Sequence, residues 1–280
     1  MSPFLRYFVH VSLLTISYWI AAKIGLVFAI PPGNATAVWP ASGIALAALL
    51  LLGMHVWPGV WLGAMLANSL LTNVSPVTAA MIAIGNTCEA LLATWLCQRM
   101  LSPTDRPLLH IQETFQFTIV VALASMVAAT VGGMSLVVSG DAAWLDFPAN
   151  WGTWWLGDVA GMMIVVPLIL AYVKPKWKAW NRLRWTELAI LFALMFLTSQ
   201  AIFGGWLSEL VAHHLLYIPL IFLIWVCLRF ELPAVTLATA FFSGAAIAGT
   251  WAGLGPFREE ALEQSLFHLQ MFMILYALTG

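Results

Sequence analysis

Apolar residues run along this chain in long unbroken stretches, each closed by a short polar, Pro-bearing or Gly-bearing break. The stretches are roughly 15 to 25 residues long, the length that crosses about 30 Å of hydrocarbon at about 1.5 Å per residue. The breaks include Pro31-Pro32-Gly33-Asn34, Trp57-Pro58-Gly59, Asn73-Val74-Ser75-Pro76 and Gly253-Leu254-Gly255-Pro256, which carry the turn chemistry of helix ends. They predict ten helices, at about 6–30, 41–55, 58–73, 76–99, 111–138, 151–173, 186–204, 214–229, 232–253 and 264–280. The expected fold is an all-α integral membrane protein: one polytopic bundle of about ten transmembrane helices (eight to ten) spanning residues 1–280.

Composition agrees with that pattern. Of the 280 residues, 62% are apolar and 8% charged, against about 25% charged in a soluble domain. Too few charges are present to coat a soluble globule. The net charge of −1 gives no global field to attract nucleic acid. The stretch Lys174–Trp185 interleaves cations with indoles, which reads as an inner-leaflet interface rather than a nucleic-acid surface. Cys88, Cys97 and Cys227 lack metal-type spacing and predict inert thiols rather than a disulfide framework. The stretch after Arg6 is too long for a signal peptide and reads as the first span.

Lys and Arg set the orientation. With the N-terminus in the cytoplasm and ten spans, Arg6, Arg99, Arg106, Lys174, Lys176, Lys178, Arg182, Arg184 and Arg229 fall inside. Arg258 alone falls outside, and Lys23 lies within a span. This bias places both termini in the cytoplasm. The acidic residues Asp141, Asp146, Glu209, Glu259, Glu260 and Glu263 then collect outside.

An ionisable side chain inside a span costs about 2.5–3.5 kcal/mol on insertion scales, so each one marks a candidate site. Three qualify: Lys23, Glu89 and Asp158. At about 1.5 Å per residue, Lys23 and Asp158 each lie about 10 Å in from the outer end of their helices. Equal depth and opposite charge suggest an ion pair if those helices touch. Glu89 lies deeper, one turn from Asn86, with Asn68 at a similar depth on the third helix.

Trp151, Trp154, Trp155 and Asp158 stand at i, i+3, i+4 and i+7, on one helical face. Such an aromatic wall ending in a carboxylate suits an amphipathic or cationic ligand entering from outside. The same tryptophans also fit an ordinary interfacial belt. Between the first two helices, Asn34, Trp39, Pro40 and the Ser42/Gly43 start of helix two fit either a water-lined vestibule or a plain extracellular turn. Gly59/Gly63/Ala67 and Gly157/Gly161 predict close helix contacts. His213 and His214 are adjacent and point apart on a helix, so no metal site is expected. No phosphate loop, dinucleotide fingerprint or nucleophile elbow is present. Neither a catalytic constellation nor a cofactor is expected.

Several segments together resemble the MASE1 family, the membrane-associated sensor domain at the N-terminus of bacterial signalling proteins. They are Ile30–Ala47, Trp57–Gly63, Trp154–Asp158 with Pro167-Leu168, and Gly253–Phe257. They occur in the same order and run from about residue 10 to the last residue. The family's motif positions fall on Trp39, Pro40, Gly43, Asn68, Glu89, Trp154, Trp155, Gly157 and Asp158. The resemblance implies a bacterial inner-membrane input module followed by a histidine kinase, a diguanylate cyclase or a cyclic-di-GMP phosphodiesterase. It leaves the stimulus open. This chain stops at Gly280, where family members continue, so an output domain is expected to be missing from it.

The resulting expectation is a sensor with a polar pocket among helices 1, 2, 4 and 6 for an unidentified small ligand, or one that reports membrane state. The last helix passes the signal to a cytoplasmic output domain or effector. Its expected partners are the lipid bilayer, that effector and a second copy of the chain in a homodimer. A small transporter using Lys23, Glu89 and Asp158 is the alternative. An intramembrane enzyme has no visible nucleophile–base pair to support it.

Overall fold

The computed structural model describes residues 2–29, 36–101, 111–173 and 180–280. Asn34 and Arg106, with Lys174, Lys176, Trp177 and Lys178, lie outside the described residues. Eleven α-helices make up the described chain: α1 (Pro3–Val27), α2 (Pro40–Leu52), α3 (Trp57–Leu71), α4 (Pro76–Met100), α5 (Ile111–Ser139) and α6 (Phe147–Val173), then α7 (Arg182–Ile202), α8 (Glu209–Leu215), α9 (Ile218–Arg229), α10 (Leu232–Trp251) and α11 (Leu262–Thr279). No strand occurs among the described residues. Among the described residues, seven segments are long and apolar enough to cross a membrane, counting α8 and α9 together.

The helix starts are chemically marked. Ser2, Ser75 and Asn181 each accept from a backbone N–H three residues on, which satisfies an otherwise orphaned donor of the first turn. Proline stands in the first turn of α1, α2, α3, α4, α9 and α10, where its missing N–H costs nothing. The expected eighth helix is two pieces, α8 and α9, that break at Leu216-Tyr217 ahead of Pro219. Pro219 lacks the N–H that would bond the Leu215 carbonyl, so a helix running through from α8 would lose that bond.

α2 is a short helix. Its 13 residues cover about 20 Å at about 1.5 Å per residue, well below a full crossing. The backbone leading into it, residues 36–39, is not helical and lies along α6, with the Trp39 N–H donating to the Gly157 carbonyl at 3.0 Å. Gly161, one turn further along α6, sits directly against the Trp39 carbonyl, and a Cβ there would collide with it. Gly43 of α2 packs as tightly, since a Cβ would stand 2.6 Å from the Gly161 carbonyl oxygen. The Gly157/Gly161 pair thus seats both the segment leading into α2 and the start of α2 itself against α6. Gly59 and Gly63 do serve a helix contact: they hold α3 against Val11, Leu14 and Tyr18 of α1.

α6 is the hub. It packs on α2 and α5 on one side and on α10 and α11 on the other. One apolar core fills α1 to α4, a second lies between α2, α4, α5 and α6, and a third surrounds α10 and α11. Outward-facing residues such as Ile16, Ile20, Ile24, Ile119 and Leu123 are large and apolar, the pattern of helices that face lipid rather than water.

Candidate functional site

The deepest polar cluster sits where α2, α4 and α6 meet. Ser42 is in the first turn of α2, and its hydroxyl donates to Asp158 Oδ1 of α6 at 2.6 Å. The same hydroxyl lies 3.3 Å from Glu89 Oε2 of α4. It has one proton to donate, and the short distance directs it to Asp158. Asp158 is 0% exposed and Glu89 1%. Asp158 Oδ2 and Glu89 Oε1 have no hydrogen-bond partner among the described residues. Ser125 of α5 lies beside Glu89, but its hydroxyl donates to the Val121 carbonyl of its own helix at 2.8 Å.

This cluster holds two carboxyl groups and no cation. Lys23 does not pair with Asp158. It is exposed on the face of α1 that also carries Ile16, Ile20 and Ile24, and it lies over the Trp19 ring at 5.5 Å. α1 packs on α2 and α3, and α2 on α6; depth and charge matched, but the helical face did not. A lysine near a helix end can extend its ammonium to the interface along an apolar stem.

One turn before Glu89, Asn86 donates from Nδ2 to the Tyr18 hydroxyl at 2.8 Å. Asn86 is buried, and its Oδ1 has no partner. It belongs to the floor of a cavity of about 570 Å³ that also touches Trp39, Trp154, Gly157 and Thr153. Asn68, Asn73, Asp141 and Asn150 line it nearer the end of the bundle where α1 and α3 finish and α4 begins, here called the far end. Asn68 also donates to the Ala64 carbonyl of its own helix at 2.9 Å. Trp39 packs its ring on Gly25, and Pro40 follows it as the first residue of α2.

The expected tryptophan wall divides. Trp154 faces the cavity and covers Gly132 of α5. Trp151 and Trp155 stack on each other, with centroids 5.6 Å apart. Each is tied to α5, Trp151 to the Thr130 hydroxyl at 3.0 Å and Trp155 to the Ala122 carbonyl at 2.8 Å. The cause is helix geometry: at 3.6 residues per turn, adjacent positions point about 100° apart. Trp154 and Trp155 therefore face different neighbours.

Several residues that the fold brings in carry little signal in the sequence. Tyr18 reads as one more aromatic in an apolar span, and Asp141 as a loop acid. Gln270 is the most consequential of them. It is fully buried in α11, and its Nε2 donates to the Thr153 carbonyl at 3.0 Å and to the Thr36 carbonyl at 3.5 Å. An amide within an apolar span was the signal available for it.

Chemically, the arrangement is a polar cavity over an intramembrane carboxyl pair, without a nucleophile–base pair and without a metal-type cluster among the described residues. The family model MASE1 matches residues 10–280, nearly the whole chain. No curated protein and no solved structure matches.

Proposed function

The chain belongs to the MASE1 family of membrane-associated sensory domains, and from that premise we propose that it is the sensory input module of a bacterial signal-transduction protein. It sits in the inner membrane as a single multi-pass domain with both termini in the cytoplasm. The far-end cavity then faces outward and receives a small ligand. The last helix passes the state of the site to a cytoplasmic output domain or effector of the histidine-kinase or cyclic-di-GMP type, in a monomer or a homodimer.

The observation that carries this reading is the Gln270 bridge. One side chain of α11 holds both the Thr36 carbonyl, in the segment leading to Trp39, and the Thr153 carbonyl, beside Trp154. Both segments line the cavity. A ligand that prefers one position of these segments therefore biases α11 as well. A preference of about 1–3 kcal/mol is enough for a useful response.

The transporter alternative has less support. It needs a polar route from Glu89 to the opposite end of α4. There, Thr94 is buried and donates to the Ala90 carbonyl of its own helix, and Cys97 follows in an apolar core.

The test joins a diguanylate-cyclase reporter after Gly280 and measures its output in cells. Gln270→Leu and Asp158→Asn are expected to change that output while membrane insertion stays normal. Wild-type output from both variants would overturn the reading, as would substrate flux through purified chain in liposomes.

A further inference from the structure

We infer that the far-end cavity takes a small organic cation bearing N–H donors, of the primary-amine class; this deepens the sensor reading and rests on it. The volume of about 570 Å³ is that of a pocket for a metabolite-sized molecule. Its chemistry selects the sign of the charge. Among the described lining residues there is no Lys, Arg or His, and Asp141 is the only charged one. Asp141 accepts from the Ser139 hydroxyl at 2.6 Å and from the Thr78 hydroxyl at 3.4 Å, and it has no cationic partner among the described residues.

Beneath the floor, no cation stands beside Glu89 and Asp158 among the described residues to favour an anion, since Lys23 is turned away toward the outside of the bundle. The far end as a whole carries Asp141, Asp146, Glu259, Glu260 and Glu263 against Lys23 and Arg258. Low-dielectric walls around a cleft of one sign focus its field and concentrate ions of the opposite sign. An anionic ligand would find no basic side chain among the described lining residues and would be repelled by Asp141.

The hydrogen-bonding capacity of the floor points the same way. Asn86 commits its Nδ2 to Tyr18, so its buried, unpartnered Oδ1 is an acceptor awaiting a donor. An ammonium group brings three donors and no acceptor. Trp39 and Trp154 line the same space, and a cation near an indole face gains further attraction when water is excluded. A neutral polyol would satisfy the amides but leave the Asp141 carboxylate without a counter-ion.

The test uses the purified full chain in lipid nanodiscs at low ionic strength, titrated calorimetrically with 1,4-diaminobutane, 1,4-butanediol and succinate. Saturable binding of the diamine is expected, with the diol and succinate at least about tenfold weaker. Asp141→Asn and Asn86→Leu should each weaken the diamine by about tenfold or more, as for loss of a hydrogen bond to a charged group. Arg99→Gln, exposed at the opposite end of α4, should leave the affinity unchanged. Equal or tighter binding of the diol or succinate would overturn the cation class, and so would diamine binding insensitive to both cavity variants. The sensor reading fails separately, on an unresponsive cyclase reporter.

Discussion

Ser42 and Asp158, 116 residues apart in the chain, meet through a 2.6 Å hydrogen bond at the junction of α2 and α6. That bond gives the buried Asp158 its single donor, and it fixes the start of α2 against the hub helix of the bundle. Glu89 reaches the same hydroxyl from α4, so three helices meet at one oxygen.

Ser42→Ala should therefore destabilise the bundle by about 1–3 kcal/mol, the cost of leaving a buried polar group unsatisfied. Combined with Asp158→Asn, the loss should fall short of the sum of the single effects by about 0.5–3 kcal/mol, since the two residues share one contact. Reversible unfolding in mixed micelles measures both. Strict additivity would show that the two residues act independently.

Gly161→Ala should destabilise by about 1–3 kcal/mol, because the added methyl group overpacks a finished contact with the Trp39 carbonyl. Gly152→Ala in the same helix is the control. Nothing lies within 4 Å of its would-be Cβ, and replacing a helical Gly by Ala stabilises by up to about 1 kcal/mol. Melting temperatures of the two variants should move in opposite directions.

Lys23→Met should leave stability nearly unchanged, and its effect should add to that of Asp158→Leu. Lys23 is exposed and lies over Trp19 rather than against a carboxylate, so removing it strands no charge. Rescue of Lys23→Met by Asp158→Leu would instead reveal an ion pair.

Gln270→Leu should cost about 1–3 kcal/mol by freeing two carbonyl groups from their shared donor. It should also raise the hydrogen-exchange rate of the amides of residues 36–39 more than that of amides in α4. An exchange pattern changed only within α11 would mean that the bridge holds nothing beyond its own helix.

The fold was largely legible in the sequence, and the site was legible only in part. Helix positions followed from apolar run length and from Pro-bearing caps, because both are local properties. The α8–α9 break was missed, since Leu216 and Tyr217 are as apolar as the helices they separate. Glu89, Asn86, Trp39 and Asp158 stood out through polarity or placement within apolar spans, and they do converge around the cavity and its floor. Lys23 stood out for the same reason and lies elsewhere. Trp151 and Trp155 share a helix with Trp154 but not its neighbours. Asn34 lies outside the described residues.

The sequence alone determined that this chain lives in a membrane, roughly where its helices run, and which polar residues require an explanation. Burying backbone and apolar surface in lipid is a requirement that each segment meets by itself, so each segment declares it. Only the tertiary structure decided that Asp158 is partnered by Ser42 rather than Lys23, and that Gln270 joins the last helix to the cavity. Those choices depend on which face each helix turns to which neighbour. That is settled by packing between segments, such as the seat Gly161 offers to the Trp39 carbonyl, and no single segment encodes it.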